Sequence, residues 1–296
     1  MNQFTIRDIE NLCNIKAHTL RIWEQRYKLF IPQRKESKHR IYSNEDLKEL
    51  LRISFLYHNG YKISRIAELS AEDIKAAVET TLVKDDNYEI FVHKLIEASV
   101  DFDKEKFDRI INSLVLRIGL EKCIINVFYP FLYRIGLLWM TNNVIPAQEH
   151  FSSHIIGKKI ICATDGLEPA GRNDKPIVVF APEGEYHEIP LLAANYFFRK
   201  NNNNTIYFGI NVSLDTLKYF ITNHHSCSYL YAHIITRLHQ AGLNEYINGL
   251  CRAFPEKKIL LSGPGCICIE SRALNLEILG SMQEMMNFAK ATGQPA

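Results

Sequence analysis

Thr19-Leu20-Arg21-Ile22-Trp23-Glu24-Gln25-Arg26-Tyr27 crowds cationic and aromatic side chains onto the outer face of one short helix. Just upstream, Ile6, Ile9, Leu12, Ile15 and Leu20 recur at the spacing of a small apolar core, and Asn14-Ile15-Lys16 supplies a turn between two helices. The second helix then presents His18, Thr19, Arg21 and Arg26 outward. A rigid apolar back with a polar front is what a recognition helix needs to enter a major groove. A second basic patch follows at Lys38-His39-Arg40-Ile41-Tyr42. Arg34, Lys35, Lys38, His39, Arg40 and Tyr42 fall on a β-ribbon from which they can track phosphates. Ser43-Asn44-Glu45-Asp46 then caps a further helix running from Leu47. A helix-turn-helix followed by a basic wing points to duplex DNA.

Overall charge says little, because the net value is only +2. Its distribution says more: residues 1–43 hold nine Lys/Arg against four Asp/Glu, an excess of five. Local positive charge is the electrostatic footprint of a nucleic-acid binder, and a merely solvated charged face is the alternative. The longest apolar stretch, Val127 to Met140, contains Pro130 and Arg134 and is too short to cross a bilayer. The first eight residues have no apolar core of the signal-peptide kind. Seven cysteines lie dispersed at 13, 123, 162, 227, 251, 266 and 268 without a Cys-x-x-Cys pair, which predicts reduced thiols in a cytoplasm. No His or Cys stands at ligand spacing to Cys266 and Cys268, so a metal site there is not expected.

The 296 residues suit roughly two or three domains. The pattern predicts a multidomain α and α/β chain. Residues 1–80 read as a winged helix-turn-helix, 84–165 as a four-helix bundle, and 175–290 as a Rossmann-like (flavodoxin-like) α/β domain with a parallel five-stranded sheet. A polar Gly/Pro-bearing linker, residues 166–174, separates the last two. Strands are expected at Ile177–Ala181, Thr205–Gly209, Ser228–Ala232, Lys258–Ser262 and Leu276–Leu279, each short, apolar and followed by a helical segment. Ligands of such sheets sit at the C-terminal strand ends, so the loop Pro182-Glu183-Gly184-Glu185-Tyr186-His187-Glu188 becomes the one to inspect. In the helical block, Trp139 ends one helix, Pro146 suits the start of the next, and Glu149 and His150 fall in its first turn. Core packing for Trp139 and surface placement for the other two is the plain reading of those residue types.

The groups Thr19-Leu20-Arg21, Trp23-Glu24, Arg26-Tyr27, Pro32-Gln33-Arg34, Arg40-Ile41-Tyr42, Asp46-Leu47 and Asn59-Gly60-Tyr61 occur in order at spacings that resemble the MerR family of transcription regulators, over residues 3 to 72. That resemblance implies a winged helix-turn-helix, dimeric binding to a palindromic promoter, and distortion of the DNA. The long dimerising coiled coil of many relatives is missing, so the dimer must be built differently.

Trp139, then nine residues, then Glu149-His150 resembles the helical cap of the cobalamin-dependent light-sensing regulators of that family, the CarH/LitR group, over residues 84–165. There the Trp packs against the upper axial ligand of the corrin, with the Glu and His above the same face. The same group carries Glu-x-His-x-x-Gly after the first strand of its α/β domain, the His replacing the lower base on cobalt. Here Glu185 and His187 match, and Pro190 stands in place of the glycine. The group's Ser in the third strand aligns with Ala232, and its Gly-Gly after the fourth strand with Ser262-Gly263.

These resemblances imply a cytoplasmic, non-enzymatic, DNA-binding regulator, a homodimer or homotetramer on double-stranded promoter DNA. Its C-terminal half would sense an effector, with cobalamin the cofactor implied, His187 its cobalt ligand, and Trp139, Glu149, His150, Glu185 and Gly263 beside it. Two further readings stay open. One is a regulator whose degenerate, cofactor-free B12-like domain serves oligomerisation or partner binding. The other is a corrinoid enzyme, against which stand the missing substrate barrel and the DNA-binding module at the front.

Overall fold

Two reciprocal caps start the long elements of the N-terminal region. In the computed structural model, which describes residues 4–30, 32–34, 40–81, 88–140, 146–169, 175–223, 226–236 and 240–293, helix α1 (Ile6–Cys13) opens on a Thr5/Asp8 capping box. Helix α3 (Asn44–His58) opens on a Ser43/Asp46 box. In each, the hydroxyl takes the amide three residues on and the carboxylate returns to the cap amide. Asn14, at φ 54°, ends α1 in the left-handed conformation that asparagine tolerates, and the chain turns into α2 (Ala17–Tyr27). Strands β1 (Gln33–Arg34) and β2 (Arg40–Ile41) pair antiparallel, Gln33 opposite Ile41 and Arg34 opposite Arg40, which is the expected ribbon. Helices α4 (Ile63–Ile66) and α5 (Ala71–Thr81) complete the block.

The four expected helices of the next block are present. They are α6 (Glu89–Val100), α7 (Lys104–Ile118), a long third helix, and α10 (Pro146–Asp165). The third runs as α8 (Leu120–Cys123), one π-helical turn (Ile124–Phe128) and α9 (Tyr129–Met140). Pro130, with no N–H to donate, stands just beyond the π turn, where the regular ladder is interrupted.

The chain separates into two compact units, Met1–Ile155 and Ile156–Ala296, so the winged helix and most of the helical block fall together. The reason lies in α3. Leu47, Leu50, Leu51, Ile53, Ser54, Phe55 and Leu56 are all buried, and the helix packs on α1, α5 and α6. A helix apolar on nearly every side needs partners on nearly every side. Polar links reinforce the junction: Lys48 meets Asp101 at 2.6 Å, and Arg52 meets the buried Glu97 at 3.2 Å. Arg134 of α9 pairs with Glu89 of α6 and donates to the Leu12 carbonyl near the end of α1 at 3.3 Å. Burial would raise the Glu89 carboxyl, but His93 and Arg134 overcome it and hold the group down to about 2.

The second unit is a five-stranded, all-parallel sheet. Its strands are β3 (Ile177–Pro182), β4 (Thr205–Val212), β5 (Tyr229–His233), β6 (Lys258–Ser262) and β7 (Leu276–Leu279), in the spatial order β4-β3-β5-β6-β7. The helices are α11 (Ile189–Lys200), α12 (Leu214–Asn223), α13 (Gln240–Ala253) and α14 (Met282–Thr292). All five strands lie where the alternation places them, within a few residues at their ends. β3 is buried at every position, as a central strand covered on both faces must be. Val178 and Phe180 join Leu230, Ala232, Ile259 and Leu261 with Leu217, Ile221, Ile247 and Leu250 of α12 and α13 in one core. On the other face, Tyr231 packs edge-on against Phe198 of α11 at 4.9 Å and Tyr229 against Phe288 of α14 at 5.2 Å. Among the described residues, no helix is long and apolar enough to cross a membrane.

Arg134→Ala would leave Glu89 largely buried without its guanidinium and the α1 terminus without a donor. We expect a loss of about 3 kcal/mol in urea unfolding of the full chain, read by tryptophan fluorescence. A change within error would show that the junction does not depend on this arginine.

Candidate functional site

Helix α2 divides cleanly by burial. Leu20 and Trp23 are in the core, and Trp23 meets Tyr57 of α3 edge-on at 4.9 Å. His18, Arg21, Ile22, Gln25 and Arg26 are exposed, and Thr19 is half-buried. The Arg26 guanidinium lies 5.4 Å over the Tyr27 ring. Glu24 turns the other way and accepts from Arg40 Nε at 2.6 Å, with only 14% and 20% of the two side chains exposed. This ion pair ties the wing to the recognition helix. Arg40, expected on phosphate, thus has its first role in holding the two reading elements together.

Tyr42 corrects the expectation more fully. It is wholly buried, not on the wing's outer face. Its backbone bridges Phe4 and its ring packs 6.0 Å from Phe30. Burial, and then Glu24, push its phenol up to about 12, so it seats the base of the ribbon. The reason is position: Tyr42 directly precedes the Ser43 cap of α3, where the chain re-enters the core. The side chain of Arg34, together with Lys35, Lys38 and His39, lies outside the described residues.

In the second unit the spatial order β4-β3-β5-β6-β7 reverses direction between β3 and β5, which is where a doubly wound sheet opens a crevice. Glu185, 3% exposed, sits there. Its Oε2 accepts the amides of Ile235 and Thr236 at 2.7 Å each. Its Oε1 accepts the His187 amide at 3.0 Å, His187 Nδ1 at 2.6 Å and the Thr236 hydroxyl at 3.2 Å. Burial alone would raise this carboxyl; the donation from His187 and from the three amides prevails and lowers it to about 2. An ionised carboxylate only accepts, so His187 carries its proton on Nδ1 and a lone pair on Nε2. That is the form in which an imidazole can ligate a metal, with the carboxylate as its orienting partner. The loop is also held on the β4 side, where Asn211 Oδ1 takes the Gly184 amide at 2.9 Å and the Asn211 amide donates to the Glu185 carbonyl at 3.2 Å.

Residues 4–73 match the MerR HTH family of regulatory proteins, and residues 92–162 match the B12 binding domain family. The chain joins a MerR-type helix-turn-helix to a B12-binding-type helical domain. It is 24% identical over 197 residues to the HTH-type transcriptional repressor CarH of Myxococcus xanthus, a match covering 64% of this chain and 65% of that one. Over 73 residues it is 34% identical to the HTH-type transcriptional regulator MlrA of Salmonella typhimurium, covering 25% and 30% respectively. These matches span under two thirds of either relative's length. Among solved structures, the monomethylamine corrinoid protein of Methanosarcina barkeri aligns with a TM-score of 0.55 at 14% identity, over 67% of this chain and 96% of that one, a likeness of fold.

The B12-binding-type helices carry the cap residues in the expected places. Trp139 is on the last turn of α9, its side chain outside the described residues. Glu149 and His150 are in the first turn of α10, 3.4 Å apart, with the His150 side chain 78% exposed. Between the cap's turns, Gln148 is buried and donates to the Val100 carbonyl.

At the MerR-type chain's crevice, the Glu185–His187 pair suits a corrinoid's lower face, while the neighbouring strand ends are occupied by the protein's own groups. Ala232 belongs to the opposite-face core and offers no hydroxyl. Ser262 Oγ lies 2.6 Å from Tyr231 OH and 2.8 Å from His233 Nδ1. Burial holds the His233 imidazole down to about 4, against the pull of Glu185, so it is neutral. A Cβ on Gly263 would fall 2.3 Å from the Ile234 carbonyl oxygen. That glycine is therefore required by the chain's own packing. Pro190 sits in the first turn of α11, where a missing N–H costs nothing. Sequence reasoning missed Thr236 and Asn211. Thr236 had one available signal, its place just past the C-terminal end of the strand next to β3.

Glu185→Gln would set an amide NH2 against donors that now meet a carboxylate oxygen. We expect about 1–3 kcal/mol of destabilisation in urea unfolding. Because Glu185 titrates near 2 when folded and at 4.5 ordinarily, its contribution is full above pH 4.5 and lost as pH falls toward 2. Wild-type stability should drop through that window, and Glu185→Gln should drop less. Equal acid sensitivity in the two proteins would refute the assignment.

Proposed function

We propose that this chain is a cytoplasmic, non-enzymatic transcription regulator that binds promoter DNA through residues 1–80 and senses cobalamin through residues 84–165 and 175–290, acting as a homodimer or homotetramer. The exposed face of α2, held to the wing by Glu24–Arg40, supports the DNA half. His18, Thr19, Arg21 and Arg26 would meet the groove, with Arg34, Lys35, Lys38 and His39 on the flanking phosphates. The observation that carries the sensing half is the Nδ1-protonated His187 held by an ionised Glu185 at the switch point. His187 would hold the cobalt from below, and Glu185 and Thr236 would fix the ring. Trp139, Glu149 and His150 are the residues proposed for the upper side. A bound alkylcobalamin would supply a light-sensitive cobalt–carbon bond. The protein's part is to favour one assembly when the group is held and another when it is not, since a ligand shifts an equilibrium only by its differential affinity.

Arg21→Ala with Arg26→Ala should weaken duplex binding in a gel shift and flatten its salt dependence by about one unit of slope for each phosphate that is no longer neutralised. Unchanged affinity would sink the DNA assignment.

Incubation with adenosyl- or methylcobalamin followed by gel filtration should yield coloured protein, and His187→Ala should shift its absorbance spectrum. Colourless wild-type protein would overturn the cobalamin reading and leave a regulator with a cofactor-free sensor fold.

A further inference from the structure

Ile22 is half-exposed, at 51%, on the helix proposed to read DNA. His18, Arg21, Ile22 and Gln25 are spaced i, i+3, i+4 and i+7, so they share the face opposite the buried Leu20 and Trp23. The other three can donate or accept hydrogen bonds; Ile22 cannot. Single exposed apolar residues are common on protein surfaces and by themselves need no explanation. This one stands in the middle of a cationic face. It is also β-branched, a poorer helix former than the Lys, Gln or Arg that would suit a purely solvated position.

We infer that Ile22 reads the C5-methyl group of a thymine in the major groove. Of the groups that base pairs display there, the thymine methyl is the one apolar knob; the rest are donors and acceptors. An isoleucine in a helix keeps essentially one χ1 rotamer, so its contact surface is set before binding. The helix is itself held by the Trp23–Tyr57 edge contact and the Glu24–Arg40 pair, which fixes where that surface points. Arg21 and Arg26 would supply charge, and Ile22 would supply discrimination between thymine and the other bases at one position. This inference rests on the DNA-binding reading and names a base that the reading leaves open.

The test uses the full chain and a pool of random duplexes. Sequences retained by wild-type protein are enriched, and each thymine of the resulting site is then replaced singly by deoxyuridine, which removes only the methyl. One replacement should weaken binding about fourfold, the equivalent of one buried methyl group. Ile22→Ala should bind the thymine and deoxyuridine duplexes equally, and Ile22→Val should keep most of the difference. Preferences at the remaining positions of the site should not change. Indifference of wild type to every deoxyuridine, or an undiminished preference in Ile22→Ala, would overturn the inference while leaving DNA binding intact. A wild-type chain that retains no duplex even at low salt would overturn the DNA-binding reading and this inference with it.

Discussion

A carboxylate buried where two strands diverge has to be satisfied by whatever surrounds it, and Glu185 organises its surroundings for that reason. Five donors converge on it: two amides and a hydroxyl from the end of β5, and the amide and ring nitrogen of His187. Charge-assisted bonds of this kind are about twice as strong as neutral ones. The β3 and β5 loops therefore cannot move apart without exposing an unpaired anion. Asn211 adds β4 to the same assembly. The ligand-capable nitrogen of His187 is a by-product of that electrostatics, because the carboxylate dictates which ring nitrogen carries the proton.

The first unit is organised by the same rule. Glu89 is buried between helices, and Arg134 answers it while also reaching the carbonyl of Leu12. The helix that carries Trp139 on its last turn thus bonds directly to the end of α1 in the helix-turn-helix. Together with Lys48–Asp101 and Arg52–Glu97, this makes the DNA-binding block and the B12-binding-type helices one packed body. Polar groups at such a junction stabilise one arrangement only, since each needs its partner at bonding distance.

Much of this was legible in the residues. The caps at Thr5 and Ser43, the αL turn at Asn14 and the apolar period of α1 and α2 are local, and each acts through neighbours only a few positions away. Strand positions in the second unit were equally readable, because a parallel sheet covered on both faces demands short continuous apolar runs. The likeness of Glu185 and His187 to a ligand motif was likewise visible, as was the placement of Glu149 and His150 in the first turn of a helix.

What escaped the sequence were the partners that folding brings from far along the chain. Thr236 meets Glu185 from 51 residues away, and Ser262 lies between Tyr231 and His233 from 31 and 29 residues away. Tyr42 and Arg40 look alike as wing residues, yet one enters the core and the other pairs with Glu24. The amino-acid order determined the elements, their order and the chemical types available at each strand end, because propensity, capping and periodicity are local effects. Only the tertiary structure decided which groups are buried, paired or ionised, because desolvation and charge pairing depend on neighbours that no local pattern names.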